Sequence, residues 1–155
     1  MSFRLGTGSL EELKGVHPIL VGVVKRTIEI TTVDFTVHDG LRTRAQQQSY
    51  VDRGVSKTMN SKHLPQEDGY GHAVDLVPYI EGKLRWEWKP IFHIACAFDQ
   101  AATEHNVRIR WGGVWDRIML DYGGSPEAIE KAVAEYCRRH PGPDFIDGPH
   151  YELKM

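Results

Sequence analysis

The feature that most constrains this chain is "GHAVDLVPY", residues 71–79, an apolar run rich in β-branched residues with a single carboxylate inside it. Such a run reads as a strand that stops at Pro78. A carboxylate taken out of water without a partner is costly, so Asp75 needs a cation or a set of donors beside it. Alternation sorts its neighbours: His72 and Val74 share one face of such a strand, while Ala73, Asp75 and Val77 share the other. His72 and Asp75 therefore point in opposite directions and are poor joint ligands. His63 precedes the turn-rich "LPQEDGYG" and escapes that restriction, which makes it the favoured partner of Asp75.

The rest of the chain supplies a frame around this strand. "VDFTVHDG" alternates Val33, Phe35 and Val37 against polar neighbours and closes at Asp39-Gly40, a second strand. "VRIRW" and "PHYELK" read as two more, the first leading into Gly112-Gly113. Ser9 and Glu12 form a capping-box pattern ahead of a helical segment that Pro18 ends or kinks. "TRAQQQSYVDRG" reads as a short helix ending at Gly54. "KPIFHIACAFDQAATEHN" reads as a long one with Ile91, Ile94, Ala95, Phe98 and Ala102 on one side. "SPEAIEKAVAEYCRRH" has Ser125 as N-cap, Pro126 in its first turn and basic residues at its end. Strands and helices in this mixed order predict an α+β domain. At 155 residues the chain is expected to form one domain with a real core.

Three groups of residues carry the chemistry: His63, the His72/Asp75 pair, and "DFIDGPHYEL" at 144–153. A hydrolytic zinc site needs three His or carboxylate ligands, an open position for water and a nearby base. Asp147 and His150 lie three apart across Gly148-Pro149, where a turn entering a strand aims both into one cavity, one as ligand and one as base. His150 and Glu152 share a strand face, so Glu152 is a reserve candidate for the base or for orienting His150. His17, His38, His93, His105 and His140 read as ordinary surface or packed histidines. Trp86, Trp88, Trp111 and Trp115 read mainly as core or cleft wall.

"GLRTRAQQQSYVDRGVSKTMNSKH", "GHAVDLVP", "WGGVW" and "DGPHYEL" resemble the zinc-dependent L-alanyl-D-glutamate endopeptidases that serve as phage endolysins, in the superfamily of the D-Ala-D-Ala carboxypeptidases. The similarity runs from about Thr36 to Leu153, with four motifs in order. It implies a small, mainly antiparallel sheet flanked by helices, of the Hedgehog/D,D-peptidase type. The family's serine-x-His and Gly-x-Ala-x-Asp pattern falls on Ser61, His63, Gly71, Ala73 and Asp75. The resemblance thus implies zinc ligands at His63, Asp75 and His150, a catalytic carboxylate at Asp147 and an arginine near the substrate carbonyl at Arg42. It also places Ser61 at the substrate, a peptidoglycan stem peptide cut between L-Ala and D-Glu, and Trp111 in "WGGVW" is taken as a second substrate-binding candidate. Arg42 or Lys57 would face the acidic D-Glu. Two departures stand out: "PQEDGY" lengthens the segment between His63 and Asp75, and Val114 replaces the aspartate common in "WGGDW", leaving Asp116 as a substitute.

Composition and competing chemistry bound this reading. A net charge of −2 without a basic run gives no footprint for nucleic acid. No window approaches the ~18 apolar residues of a membrane span. No secretory signal is visible, so the expectation is a lysin, monomeric and without a separate wall-binding domain, that stays in the host cytoplasm until lysis and then acts on the wall. Cys96 and Cys137 are expected to be buried and reduced. A D,D-carboxypeptidase would use nearly the same zinc site. A glycosidase would use two carboxylates, Glu67/Asp75 or Asp147/Glu152, and no metal. A third reading is a non-catalytic wall-binding module or a protein with purely structural zinc, which a closed site with four protein ligands including His72 would support.

Overall fold

A computed structural model describes residues 2–56, 58–142 and 146–155. The helices are α1 (Thr7–Glu12), α2 (Pro18–Ile30), α3 (Arg44–Asp52), α4 (Trp88–Glu104) and α5 (Pro126–Arg139), with a 3₁₀ turn at Met119–Asp121. The strands are β1 (Phe35–Asp39), β2 (Ala73–Ile80), β3 (Lys83–Leu84), β4 (Ile109–Trp111) and β5 (His150–Leu153). They form one antiparallel sheet in the order β1-β2-β5-β4, with β3 hairpinned onto β2. The α+β architecture expected from the sequence is the one observed. No helix among the described residues is long and apolar enough to cross a membrane.

Strand alternation divides the sheet into an apolar face and a polar one. Phe35 and Val37, Val74 and Leu76, Tyr151 and Leu153, and Ile109 and Trp111 all join the core with Leu20, Val23 and Val24 of α2 and Ile94 and Phe98 of α4. Each such side chain contributes about 1.5–3 kcal/mol on burial, so this face sets the register firmly. The intervening residues put Asp75 opposite His150, and Glu152 between Ala73 and Arg110, on the other face.

One irregularity decides what joins them. Between Val37 and Asp39 the β1–β2 register slips, so that Asp39 rather than His38 pairs with Asp75. Simple alternation would send Asp39 to the side of Val37; the bulge re-aims it at the polar face.

Several local expectations change. Ser9 is not an N-cap: α1 starts behind Gly6 without a side-chain cap, and the buried Ser9 hydroxyl accepts from the Val37 N–H (3.0 Å). Pro18 opens α2 at its first turn, capped by His17, whose Nδ1 accepts from the Ile19 N–H. β2 does not stop at Pro78 but runs on to Ile80; the Pro78 carbonyl accepts from Arg85, and the strand turns at Glu81-Gly82, both at positive φ (52° and 77°). Cys137 is exposed and Cys96 only partly covered, and both are free thiols. Ser125 caps α5 as expected.

Candidate metal centre

His63 sits in the loop before β2, and its position is over-determined by backbone contacts. Its N–H donates to the Ser61 hydroxyl (3.1 Å), and its carbonyl accepts from the Arg42 N–H (2.9 Å). Its ring Nδ1 is 2.8 Å from the Gly40 carbonyl, which can only accept, so Nδ1 carries the proton. Gly40 reaches this place because it lacks a side chain: a Cβ there would stand 2.0 Å from the Glu12 carbonyl oxygen. The lone pair of His63 Nε2 is thereby turned toward Asp75 Oδ1 at 3.2 Å.

His150 is held the other way round. Its Nε2–H donates to Glu152 (2.8 Å), leaving Nδ1 3.4 Å from the same Asp75 oxygen. Ligand atoms of His63, Asp75 and His150 lie within 4.8 Å of one another. Two ring nitrogens and a carboxylate oxygen, all natural acceptors, converge with their opposite nitrogens already committed. That arrangement calls for a cation, and the donor set of two imidazoles and one carboxylate suits zinc.

The same three groups shift one another's proton affinity. Burial alone would raise the Asp75 pKa, but the charges and hydrogen bonds of His63 and His150 hold it well below the usual carboxylate range. Burial would lower that of His150, yet hydrogen bonds to Asp75 and Glu152 push it up to about 10. These partners favour a proton on His150 beside the Asp75 carboxylate. Glu152 is itself lowered, its burial outweighed by His150.

The second Asp75 oxygen belongs to Arg42. This buried guanidinium donates through Nη2 to Asp75 (3.1 Å), through Nη1 to Gln47 (2.8 Å) and through Nε to Asp39. It separates two carboxylates that face each other across β1 and β2, a pairing that repels without it. Three of its five N–H groups are spoken for, which leaves it poorly placed to read a substrate carboxylate. Lys57, the other cation expected to do so, lies outside the described residues.

Asp147 is half-buried where the chain returns to β5; its N–H donates to Gly112 (2.8 Å) and its carbonyl accepts from His150 (3.0 Å). Gly112 permits this approach, since a Cβ would stand 2.1 Å from the Asp147 carbonyl oxygen. Burial, and then the charge of Asp75, push the Asp147 carboxyl up to about 6 against the pull of the histidines and Arg42. Asp147, Arg42 and Ser61 line a cleft of about 1040 Å³ together with His63, Asp75 and His150.

Four other residues fall elsewhere. Trp111, expected at the substrate, is fully buried: its β4 position puts it on the apolar face, stacked on Tyr151, with Nε1 donating to the Gly148 carbonyl (2.6 Å). It shapes the turn that carries Asp147 rather than the cleft wall. His72 pairs with Asp68 (2.8 Å), and Glu67 is exposed on the loop. Asp116 is bound to Arg139 and His140. Asp39, Gln47 and the Gly40 carbonyl are site components that the sequence pattern does not reveal; only "HDG" at a strand end hints at them, and it reads first as a turn.

A family model described as phage L-alanyl-D-glutamate peptidase matches residues 1–154. The L-alanyl-D-glutamate peptidase of Escherichia phage T5 is 35% identical over 120 residues, 75% of this chain and 84% of the relative. The crystal structure of the Serratia marcescens L-Ala D-Glu endopeptidase ChiX superposes with a TM-score of 0.70 at 32% identity, covering 99% of this chain and 91% of the other.

Proposed function

The chain belongs to the phage L-alanyl-D-glutamate peptidases, and from that premise we propose that it is a zinc-dependent endolysin cleaving the peptidoglycan stem peptide between L-Ala and D-Glu. The observation that carries the metal dependence is the convergence of His63 Nε2, His150 Nδ1 and Asp75 within 4.8 Å, each histidine locked by its far nitrogen. His63, Asp75 and His150 would hold the ion, which supplies a Lewis acid that polarises the scissile carbonyl and acidifies water from a pKa of ~15.7 to about 7.

The chain's own groups do the rest. Asp147, in the same cleft and with its carboxyl raised to about 6, takes the proton of the attacking water and returns one to the leaving D-Glu amine. Arg42 fixes Asp75, and its two uncommitted N–H groups offset charge developing on the carbonyl oxygen, a role worth about 3–4 kcal/mol. Glu152 keeps His150 in the tautomer that offers Nδ1. Residues 1–155 act as one catalytic domain, monomeric, held in the host cytoplasm until lysis begins and acting afterwards on the wall.

The competing chemistries fit less well. Glu152 is committed to His150 and lies 3.5 Å from Arg110 Nη1, which removes it from a glycosidase pair. His72 is engaged by Asp68 and does not join the cluster of possible ligands, which disfavours a closed structural site. Digestion of purified peptidoglycan with zinc-loaded, chelated and zinc-restored protein tests the proposal. Mass spectrometry is expected to find new N-terminal D-Glu, lost on chelation and recovered with zinc. Released D-Ala would assign a carboxypeptidase instead, and cleavage that ignores the chelator would overturn the zinc mechanism.

A further inference from the structure

Cleavage before D-Glu poses a recognition problem that the metal centre does not solve. A dicarboxylic residue in a peptide spends one carboxyl on the next bond and keeps the other free. A cleft that takes such a residue has to meet a carboxylate, and Arg42, Arg110 and Arg53 are the arginines that line it.

Two of the three are already engaged. Arg42 is divided among Asp39, Gln47 and Asp75. Arg110 donates through Nε to the Trp115 carbonyl (2.8 Å), lies 3.5 Å from Glu152 and rests over the Trp115 ring. Arg53 alone among them forms no ion pair with any described residue, although it lies one residue beyond α3 on the cleft wall.

Arg53 is nevertheless not a loose surface cation. Its Nε donates to the Ser49 carbonyl (3.3 Å), and its guanidinium lies over the Tyr50 ring at 5.0 Å. The same ring carries Arg42 at 4.5 Å. One half-buried tyrosine thus links the arginine that holds Asp75 to an arginine whose Nη groups have no partner among the described residues. Stacking fixes the plane of the fork and reduces the entropy lost when it closes on a carboxylate. Lys62 also lines the cleft but has no comparable platform among its contacts.

From this geometry we infer that Arg53, presented on Tyr50, is the specificity residue that binds the free carboxylate of the D-Glu leaving residue. The inference rests on the function proposed above, and its test separates the two. Steady-state kinetics are measured on a soluble disaccharide peptide carrying L-Ala-D-Glu and on its counterpart with the free D-Glu carboxyl amidated. The parent protein should prefer the acid by about tenfold in kcat/KM, the size of one solvent-accessible charge-assisted hydrogen bond. Arg53→Gln should collapse that ratio toward one, mainly through KM on the acid. Arg53→Lys should restore part of it, and Lys62→Gln should leave the ratio within twofold. Equal losses on both peptides, no loss on either, or a ratio governed by Lys62 would overturn the assignment while leaving the peptidase intact. Failure of the zinc-loaded parent to cut either peptide would overturn the function itself, and the assignment with it.

Discussion

Two histidine–carboxylate pairs bracket the loop between residues 63 and 75, and by distance alone the outer one looks the better bonded. His72 Nε2 lies 2.8 Å from Asp68, whereas His63 Nε2 lies 3.2 Å from Asp75. The difference is in what surrounds each pair. Asp75 is nine-tenths buried and meets a second histidine and an arginine, while Asp68 has a side chain 36% exposed and a second histidine, His17, only at 3.8 Å. His63 has its far nitrogen fixed by a backbone carbonyl; His72 stands edge-on to the ring of His17. A close pair makes a salt bridge, but a metal centre needs several acceptors brought together with nowhere else to turn.

The largest expected effect breaks the comparison directly. His63→Ala should lose bound zinc on mild dialysis and reduce wall hydrolysis by ~10³-fold or more, because water activation depends on the ion. His72→Ala should keep one zinc per chain and stay within about twofold in activity. Metal content by mass spectrometry and turbidity loss of purified peptidoglycan decide it; the reverse order would show that the loop is placed wrongly around β2.

A smaller effect probes the tautomer lock that sets the two pairs apart. Glu152→Ala removes the acceptor of the His150 Nε2–H without touching a ligand, and should weaken zinc affinity by about 10–100-fold. Competition with a chromophoric chelator measures it. Affinity equal to the parent's would mean that Asp75 alone orients His150, and that the lock adds nothing to the contrast.

Much of this contrast is legible in the sequence because it rests on strand parity. Asp75 and His72 lie three apart in one extended segment, and that spacing by itself puts them on opposite faces. His150 and Glu152 follow the same rule two apart. What parity does not reveal are interactions set by tertiary irregularity. Asp39 joins the site only through a bulge at His38, and alternation without it sends the side chain to the core. Trp111 lies in a strand of only three residues beside a double glycine, too short for its pattern to announce which face it takes. Arg53 reads as the end of a helix, and its lack of an acidic partner is a property of the folded surface. The "PQEDGY" segment reads as an insertion beside the candidate metal centre, yet in the fold it supplies Asp68 to a pair on the other side of β2.

The smallest expected effect lies at that outer pair. Asp68 accepts from the Tyr70 N–H (3.0 Å) and from His72, and these donors, the backbone one foremost, hold its carboxyl below the usual range against a small opposing cost of burial. A carboxyl with a folded pKa below its unfolded value stabilises the fold above about pH 4, and that contribution is lost as the pH falls through the folded value. Asp68→Asn keeps an acceptor for Tyr70 but removes the charge. Its melting temperature should therefore fall below the parent's by about 1–2 °C at pH 6, the size typical of an exposed pair. The gap should close as the pH falls from about 4 through the folded value, with zinc content at neutral pH unchanged. A gap that persists in acid would mean that Asp68 holds the loop through shape rather than charge. A loss of zinc would join the outer pair to the inner one and remove the distinction between them.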